Sequence, residues 1–279
     1  MKILRVGIQG ELGAFSQEAS RQLVGSDGQV IPFQRFEQVF RALEKRKIDT
    51  AVIPIENTLA GSVHENYDHL LNFDVRIAAE TSVRIVHNLI APPGVRFENI
   101  RRVYSHPVAL NQCLHFFAQH PKMERTPFYD TAGAVKMIMS EPSGDQAAIA
   151  SRVAASIYKA RILRRSIEDD RHNFTRFFLL YRDKARPIPA RRARHWKTSL
   201  VFTTGNTPGA LFRALSAFAL RDISLTKIES RPLRGKPWEY LFYVDLLGCE
   251  SEPRVENALR HLTELADFLR VLGSYPKGA

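Results

Sequence analysis

The sequence predicts an α/β protein in which a two-lobed domain with a cleft precedes a smaller α+β domain of ferredoxin-like order. Three observations favour this fold class. Short apolar runs alternate with helical patterns over residues 1–181, which is typical of largely parallel sheets. A basic segment with two prolines and no apolar pattern, residues 182–197, indicates a linker. Residues 198–279 then follow the order βαββαβ.

The first lobe is expected to begin with a strand at the amino terminus. Its predicted strands are 3–9, 30–33 and 50–53. Two predicted helices begin at Phe15 and Phe36, and a third covers 63–71. In such a sheet, ligands sit at the carboxyl ends of the strands. The loops that follow these strands are therefore where chemistry is expected.

The second lobe repeats this alternation. The predicted elements are extended chain over 75–90, a strand at 102–105, helices over 108–119, 130–139 and 150–158, and a returning strand at 177–182. Because the chain passes from one lobe to the other and back, a cleft is expected between them.

The last domain is expected to contain four strands and two helices. The predicted elements are strand 199–203, helix 208–219, strands 224–231 and 239–247, helix 252–265 and strand 268–273. A module of this order is usually a ligand or protein interaction unit rather than a catalyst.

The net charge is the unusual total of this composition. The 279 residues include 40 Lys and Arg against 29 Asp and Glu, a formal charge of +11. Seven basic residues and one acidic residue fall within 182–197, whereas 1–181 carries 23 and 19 and 198–279 carries 10 and 9. A nucleic-acid binder needs its basic residues on one face. This distribution does not favour one.

Targeting and redox signals point to a cytoplasmic protein. The apolar stretch at the amino terminus is too short for a signal peptide, and no window approaches the roughly 18 apolar residues of a membrane span. Cys113 and Cys249 lack any metal-binding or CxxC spacing. We therefore expect no membrane association, no metal site and no disulfide.

A glycine-containing turn follows the first strand. Gly7, Gly10 and Gly13 are spaced three residues apart, with Ser16 beyond them. Backbone amides at such a strand-to-helix turn can bind an anion. The spacing is not GxGxxG, so a dinucleotide site is not expected, and a plain tight turn is the alternative.

Four polar clusters mark candidate site residues, and two of them follow predicted strands. Glu56, Asn57, Thr58 and Ser62 come after the strand that begins at Thr50, although Ser62 also suits a helix N-cap. Further clusters are Ser105-His106 with Gln112, Asp130 with Thr131, and Asn173 to Phe178. The alternatives are a structural histidine, an N-cap and ordinary strand packing, respectively.

Taken together, these segments resemble the prephenate dehydratase family over nearly the whole chain. The matching stretches are Gly10-Glu-Leu-Gly13-Ala-Phe-Ser16, Pro54-Ile-Glu-Asn57, Ser105-His-Pro107 with Gln112-Cys113, Ala147-Ala-Ile-Ala150 and Asn173-Phe-Thr-Arg-Phe177. The last domain resembles the regulatory ACT domain of that family, through Asn206-Thr-Pro-Gly209-Ala-Leu-Phe212 and Leu225-Thr-Lys-Ile-Glu229-Ser-Arg-Pro232. Asp130-Thr-Ala-Gly-Ala-Val135 also resembles the corresponding stretch of arogenate dehydratases.

Two positions depart from the family pattern. Val108 stands where a Gln commonly follows Ser-His-Pro, and Phe212 ends a motif that often finishes in Val or Tyr. The first departure removes one polar group near the expected cleft. The second is an apolar exchange.

The resemblance implies a fold, an activity and a regulation. It implies a periplasmic-binding-protein-like catalytic domain (1–181), a basic linker (182–197) and an ACT domain (198–279). The implied reaction converts prephenate to phenylpyruvate with loss of water and carbon dioxide, in phenylalanine biosynthesis and without any cofactor. It also implies feedback inhibition by L-phenylalanine in a homodimer or homotetramer.

The resemblance assigns roles to residues of the expected cleft. Thr175 is the expected donor to the leaving hydroxyl group, and Glu56 is the carboxyl candidate for a true acid. Asn57, Ser105 and Gln112 complete the implied catalytic set. The implied substrate-binding residues are Arg176, Phe177, Thr131, Ala132 and Thr58, with Arg176 either binding a carboxylate or bracing the cleft.

The implied phenylalanine site lies between ACT domains of two subunits. Its residues are Asn206, Pro208, Gly209, Ala210, Leu211, Glu229, Ser230, Arg231 and Pro232. The alternatives to the implied prephenate dehydratase activity are an arogenate dehydratase, which acts on the amino-acid analogue of prephenate, and a non-catalytic small-molecule binding protein.

Overall fold

The computed structural model describes residues 3–182, 195–233, 235–236 and 238–278. These residues divide into two compact units. The first contains Met1–Phe73 and Thr81–Leu179, and the second contains Asp74–Glu80 and Leu180–Ala279. Most of the sequence predicted as a linker, residues 183–194, lies outside the described residues.

The described residues form 15 strands and nine α-helices. Up to residue 91 they are β1 (Arg5–Gln9), α1 (Phe15–Val24), β2 (Gln29–Phe33), α2 (Phe36–Glu44), β3 (Thr50–Asn57), β4 (Gly61–Ser62), α3 (His64–Asn72), β5 (Val75–Arg84) and β6 (Asn88–Ala91). They continue with a 3₁₀ turn (Phe97–Asn99), β7 (Arg102–Ser105), α4 (Pro107–Asn111), α5 (Leu114–Gln119), β8 (Glu124–Pro127), α6 (Thr131–Ser140), β9 (Gln146–Ala150), α7 (Arg152–Ile157), β10 (Arg161–Arg164) and β11 (Phe174–Arg182). The last group is β12 (Trp196–Thr203), α8 (Ala210–Ala219), β13 (Leu225–Pro232), β14 (Tyr240–Leu247), α9 (Pro253–Leu265) and β15 (Phe268–Pro276).

The first lobe is built on a sheet of order β2-β1-β3-β11-β5, with β4 paired to β3. Strand β1 runs parallel to both β2 and β3. The interior side chains include Val6, Ile8, Phe40, Val52 and Ile53, all with no exposed surface. Each fully buried side chain of this kind stabilises the fold by roughly 1.5–3 kcal/mol, so the apolar runs of the sequence define this sheet.

The second lobe is built on a sheet of order β10-β6-β9-β7-β8. Strand β7 is parallel to β8 and β9, whereas β6 is antiparallel to β9. The sequence did not predict β8, β9 or β10; of these, β8 and β10 are short, half-exposed strands. Strand β9 is fully buried from Ala147 to Ala150, so Ala150 ends a strand and the expected helix starts later, at Arg152.

Gly13 brings the two lobes into close contact. Its φ of +95° favours glycine, and a Cβ atom there would lie 2.6 Å from the Cα atom of Ala154 in α7. The hydroxyl of Ser151 also donates to the Gly13 carbonyl at 2.7 Å. The turn after β1 is therefore a contact between the lobes, for which a residue without a side chain is required.

The helix predicted over 108–119 is broken into α4 and α5. The Asp169 carboxylate accepts hydrogen bonds from the backbone amides of Leu114 and His115, at 2.7 and 3.0 Å. This caps a new helix N-terminus. Because of the break, Gln112 lies at the end of α4, and its backbone carbonyl accepts from the Asp169 amide.

The second unit contains a four-stranded antiparallel sheet of order β13-β14-β12-β15. Side chains of α8 and α9, including Phe218 and Leu262, share one apolar core with Leu200 and Val244 of the sheet. The predicted ferredoxin-like order is confirmed. Of the helices within the described ranges, none combines the length and apolar character that a membrane crossing requires.

A buried ion pair stabilises the second unit. The Lys197 ammonium lies 3.0 and 3.2 Å from the two oxygens of Glu80, and the Gly278 amide donates to the same carboxylate at 3.0 Å. Both charges are nearly excluded from solvent, so removal of either partner would leave a buried charge uncompensated. Lys197 lies in β12 and Arg182 lies in β11, so these two ends of the predicted linker are parts of strands.

Candidate functional site

A cleft of about 700 Å³ lies between the two lobes of the first unit. Its walls come from the carboxyl ends of β1 and β3, from β11, and from the amino ends of α1, α4 and α6. This is where ligands bind in sheets with parallel strands. The expected cleft is present, and apolar surface dominates its lining.

The cleft brings together five of the ten predicted catalytic and substrate-binding residues. Those on its wall are Asn57, Gln112, Thr131, Thr175 and Phe177. They come from positions 57 to 177 of the chain. Only the packing of the two lobes makes them neighbours.

Asn57 orients the Thr175 hydroxyl. Its Oδ1 atom accepts hydrogen bonds from the backbone amides of Leu59 and Ala60, at 3.0 and 2.8 Å, which fixes the side-chain amide. Its Nδ2 group therefore donates, to Thr175 Oγ1 at 3.0 Å and to Asn173 Oδ1 at 2.7 Å. Thr175 is 9% exposed. Because its oxygen accepts from Asn57, its own hydroxyl proton is available to a ligand in the cleft.

The same chain of hydrogen bonds determines the state of His87. Asn173 Oδ1 accepts the hydrogen bond from Asn57, so the Nδ2 group of Asn173 is the donor to Gln112 Oε1, at 2.9 Å. Gln112 Oε1 also lies 2.9 Å from His87 Nε2, so this nitrogen must carry the proton. Gln112 Nε2 in turn donates to Asn57 Oδ1 at 3.3 Å. The amides thus form a continuous network across the lobes.

His87 is a cleft residue that the sequence did not single out. It is 2% exposed, and its Nδ1 atom has no hydrogen-bond partner among the described residues. Burial lowers the pKa of the imidazole, and the hydrogen bond with Gln112 and the charge of Glu168 oppose this only in part. The residue lies inside a long extended segment between β5 and β6, where no spacing or motif distinguishes it.

Three predicted residues are not on the cleft wall: two form hydrogen bonds to the backbone around it, and the third is buried in a core. The Ser105 hydroxyl is buried and donates to the Ile149 carbonyl at 2.6 Å. Thr58 Oγ1 donates to the His172 carbonyl and accepts from the Phe174 amide, at 2.8 and 3.0 Å. Ala132 is buried in the core of the second lobe.

Strand alternation separates Glu56 and Arg176 from the cleft. Neighbouring residues of a strand point to opposite faces, and Asn57, Thr175 and Phe177 face the cleft. Arg176 instead lies 3.8 Å from the Glu56 carboxylate and 4.7 Å over the ring of Phe178. Its contacts match the bracing alternative.

Two helix N-termini supply dipoles that favour anions. Helix α1 begins at Phe15 and α6 begins at Thr131, and both of these residues line the cleft. The helix dipole makes such ends favourable for a carboxylate, and at α6 the Asp130 side chain already accepts the Gly133 amide. Arg35 adds a cationic side chain to the wall. Val108, which stands where a Gln commonly follows Ser-His-Pro, also lines the cleft.

Asp130 and Tyr129 are further cleft residues. Asp130 was expected as an N-cap, and its Oδ2 does accept the Gly133 amide at 2.7 Å. The same oxygen accepts the Glu11 amide from the other lobe at 3.1 Å. Burial raises the pKa of this carboxyl, against the opposing effect of the amides. The Tyr129 hydroxyl donates to Glu11 at 3.1 Å.

The residues expected to bind an effector lie on two elements of the second unit. Asn206 and Pro208 precede α8, and Gly209 at its N-cap has a φ of +76°. Glu229 to Pro232 end the edge strand β13.

Among the described residues, no group of three or more His, Cys, Asp or Glu side chains is arranged to hold a metal ion.

Two family models match the chain. The model for prephenate dehydratase covers residues 6–185, and the model for the ACT domain covers residues 198–263. The boundary between them falls within the basic segment, and the first match contains every residue of the cleft.

Individual relatives extend over nearly the whole chain. Arogenate dehydratase/prephenate dehydratase 2, chloroplastic, of Arabidopsis thaliana is 45% identical over 98% of this chain and 73% of its own length. The crystal structure of prephenate dehydratase from Arthrobacter aurescens in complex with L-Phe is 31% identical, with a TM-score of 0.89 over 98% of this chain and 90% of that one. GqqA, described as a novel type of quorum quenching acylase, is 32% identical with a TM-score of 0.87 over 98% and 97%.

The neutral state of His87 predicts a pH-dependent stability. The folded chain holds the imidazole with a lowered pKa, whereas the unfolded chain binds a proton near the ordinary value of 6.5. The unfolded state therefore binds more protons below that pH, and stability falls as the pH decreases through 6.5. The change is at most about 1.4 kcal/mol per pH unit for one group.

The measurement compares thermal unfolding midpoints from pH 7.5 to 5.5 for the parent protein and His87→Gln. Gln keeps a donor for Gln112 and cannot titrate, so the variant is expected to lose less stability over this range. Carboxylates contribute equally to both proteins. Identical pH dependence in the two would contradict the assignment of a neutral buried imidazole.

Proposed function

The chain belongs to the prephenate dehydratase family, and from this premise we propose that it converts prephenate to phenylpyruvate, with release of water and carbon dioxide. It is a dehydratase of the hydro-lyase class with a C-terminal ACT domain. We further propose that residues 1–181 carry catalysis and that residues 198–279 carry regulation by L-phenylalanine.

The observation that carries the proposal is the Thr175 hydroxyl, which is held by Asn57 on the wall of the cleft. In the reaction, the bond between the ring and its carboxylate breaks and its electron pair enters the ring. The ring hydroxyl leaves from the opposite carbon, and the ring becomes aromatic. Since aromatisation drives both cleavages, the protein has to hold a dicarboxylate and assist the departure of hydroxide.

Thr175 assists that departure by donating a hydrogen bond to the leaving oxygen. A threonine hydroxyl is a weak acid, so full proton transfer is not its role. Positioning and preorganised dipoles supply the remaining stabilisation of the transition state. Asn57 and Gln112 keep the donor in place through the amide network, so they need no proton transfer of their own.

The remaining residues divide by their contacts. Thr131 and Phe177 contact substrate from the cleft wall, the first at the N-terminus of α6. Ser105 and Thr58 hold the surrounding backbone by hydrogen bonds, and Ala132 packs in the core of the second lobe. Glu56 and Arg176 brace β3 against β11, so we do not propose Glu56 as the acid that protonates the leaving group.

Regulation, assembly and location follow from the same family. We propose that phenylalanine binds between ACT domains of two subunits in a homodimer or homotetramer, near Asn206 to Leu211 and Glu229 to Pro232. The Arthrobacter aurescens relative is a complex with L-Phe, which supports this proposal. A cytoplasmic location is also proposed, although the Arabidopsis thaliana relative is described as chloroplastic.

One assay tests the proposed activity. Purified protein is incubated separately with prephenate and with arogenate, and the formation of phenylpyruvate and phenylalanine is followed. Product from prephenate is expected. Product from arogenate alone would establish the alternative, an arogenate dehydratase. Product from neither substrate would remove the enzymatic function and favour a binding protein.

Replacement of Thr175 tests the donor. Thr175→Ala is expected to lower kcat by about 10²–10³-fold, the usual effect of removing one preorganised hydrogen-bond donor. Thr175→Ser keeps the hydroxyl and is expected to retain far more activity. Steady-state kinetics with the substrate that is turned over provides the measurement. A kcat within a few fold of the parent in Thr175→Ala would contradict the role.

Phenylalanine inhibition tests the regulatory site. L-phenylalanine is expected to inhibit the parent enzyme, since an effector acts when it binds the inhibited conformation more tightly. Asn206→Ala should raise the half-inhibiting concentration about tenfold, the effect of one lost hydrogen bond. Asn257→Ala, an exposed change on α9, is the matched control. Absence of a phenylalanine site in equilibrium binding would contradict the proposal.

A further inference from the structure

The two candidate substrates differ in one charged group. Prephenate carries a ketone beside its side-chain carboxylate, and arogenate carries an ammonium group at the same carbon. Prephenate is therefore a dianion with no cation, whereas arogenate has one positive charge. A fixed negative charge on the cleft wall would distinguish the two, because it attracts an ammonium group and repels a dianion.

Two carboxylates line the cleft, and only one of them is shielded from solvent. The side chain of Glu65 is 58% exposed and lies 3.3 Å from His69 Nε2, so solvent screens its charge. Asp130 is 8% exposed. A charge in this less polar environment acts more strongly on a bound ligand.

Backbone groups from both lobes hold the Asp130 carboxylate in one position. The amides of Gly133 and Glu11 donate to Oδ2, at 2.7 and 3.1 Å. A Cβ atom at Gly10 would lie 2.7 Å from Oδ1, so a glycine is needed there to make room for this oxygen. The amides also stabilise a carboxylate relative to a carboxylic acid. Thr131, the next residue, lies on the same cleft wall.

We infer that Asp130 is a specificity-determining residue that favours an amino-acid substrate over its keto-acid analogue by accepting a hydrogen bond from the ammonium group. The inference rests on the proposed dehydratase activity and extends it: arogenate is turned over as well as prephenate, with the higher kcat/KM for arogenate. Substrate selection by Asp130 differs from its N-cap role, because a cap requires only an acceptor oxygen, whereas substrate selection requires the negative charge.

Asp130→Asn separates the two roles. Asn is as good an N-cap as Asp, so the amide oxygen can still accept the Gly133 amide while the charge is removed. For arogenate, kcat/KM is expected to fall about 10–100-fold, the effect of one charge-assisted hydrogen bond. For prephenate it is expected to stay unchanged or to rise. The readout is the ratio of the two values.

A purely structural role would lower kcat/KM equally for both substrates, and an equal loss or an unchanged ratio would overturn the inference. Glu65→Gln is the matched control, since it removes the other carboxylate of the cleft. Its ratio is expected to match that of the parent. If Glu65→Gln shifts the ratio and Asp130→Asn does not, the discriminating charge is that of Glu65 and the inference is overturned.

Binding provides a second measurement that does not depend on turnover. The affinities of prephenate and arogenate are measured by calorimetry with Thr175→Ala, with and without Asp130→Asn. Removal of the Asp130 charge is expected to weaken arogenate binding selectively. If the parent converts neither substrate, the proposed activity fails, yet the affinity ratio still decides the role of Asp130. An unchanged affinity ratio would overturn it.

Discussion

A chain of side-chain amides, from Asn57 through Asn173 to Gln112, holds together the wall of the cleft. Backbone amides fix the orientation of the Asn57 side-chain amide. Through the hydrogen bonds of the chain, this orientation sets that of Asn173, which in turn sets that of Gln112. The network joins strands of the first lobe to the end of α4 in the second. Buried networks of this kind are specific when every member is paired. Both the direction of the Thr175 hydroxyl and the tautomer of His87 depend on it.

The electrostatics of the cleft are local rather than global. More than half of the net charge of +11 falls within 182–197, most of which lies outside the described residues. Near the site, the favourable groups for an anionic ligand are the N-termini of α1 and α6 and the side chain of Arg35. The cleft thus offers a dicarboxylate oriented amides and one guanidinium group, which attract it. The fixed negative charge of Asp130 has the opposite effect and repels it.

Much of the fold follows from apolar periodicity alone. The strands at Arg102–Ser105 and Gln29–Phe33 and the ferredoxin-like order agree with the predictions, since burial of one face imposes these periods. The break between α4 and α5 does not follow, because it requires the Asp169 carboxylate, more than 50 residues away in the chain. Strand β9 was missed in part because a short run of Ala and Ile fits a buried helix as well as a strand.

The sequence by itself determined the family, the two-lobed and ferredoxin-like architecture, and the residues Asn57, Gln112, Thr131, Thr175 and Phe177 of the cleft, because ordered motifs and burial patterns are properties of the chain. Only the tertiary structure decided that Glu56, Arg176, Ser105, Thr58 and Ala132 support the cleft without lining it. It also brought His87 and Asp130 to the cleft wall. The physical reason is that strand alternation, burial and the packing of one lobe against the other decide where a side chain points, and no motif encodes these contacts between distant segments.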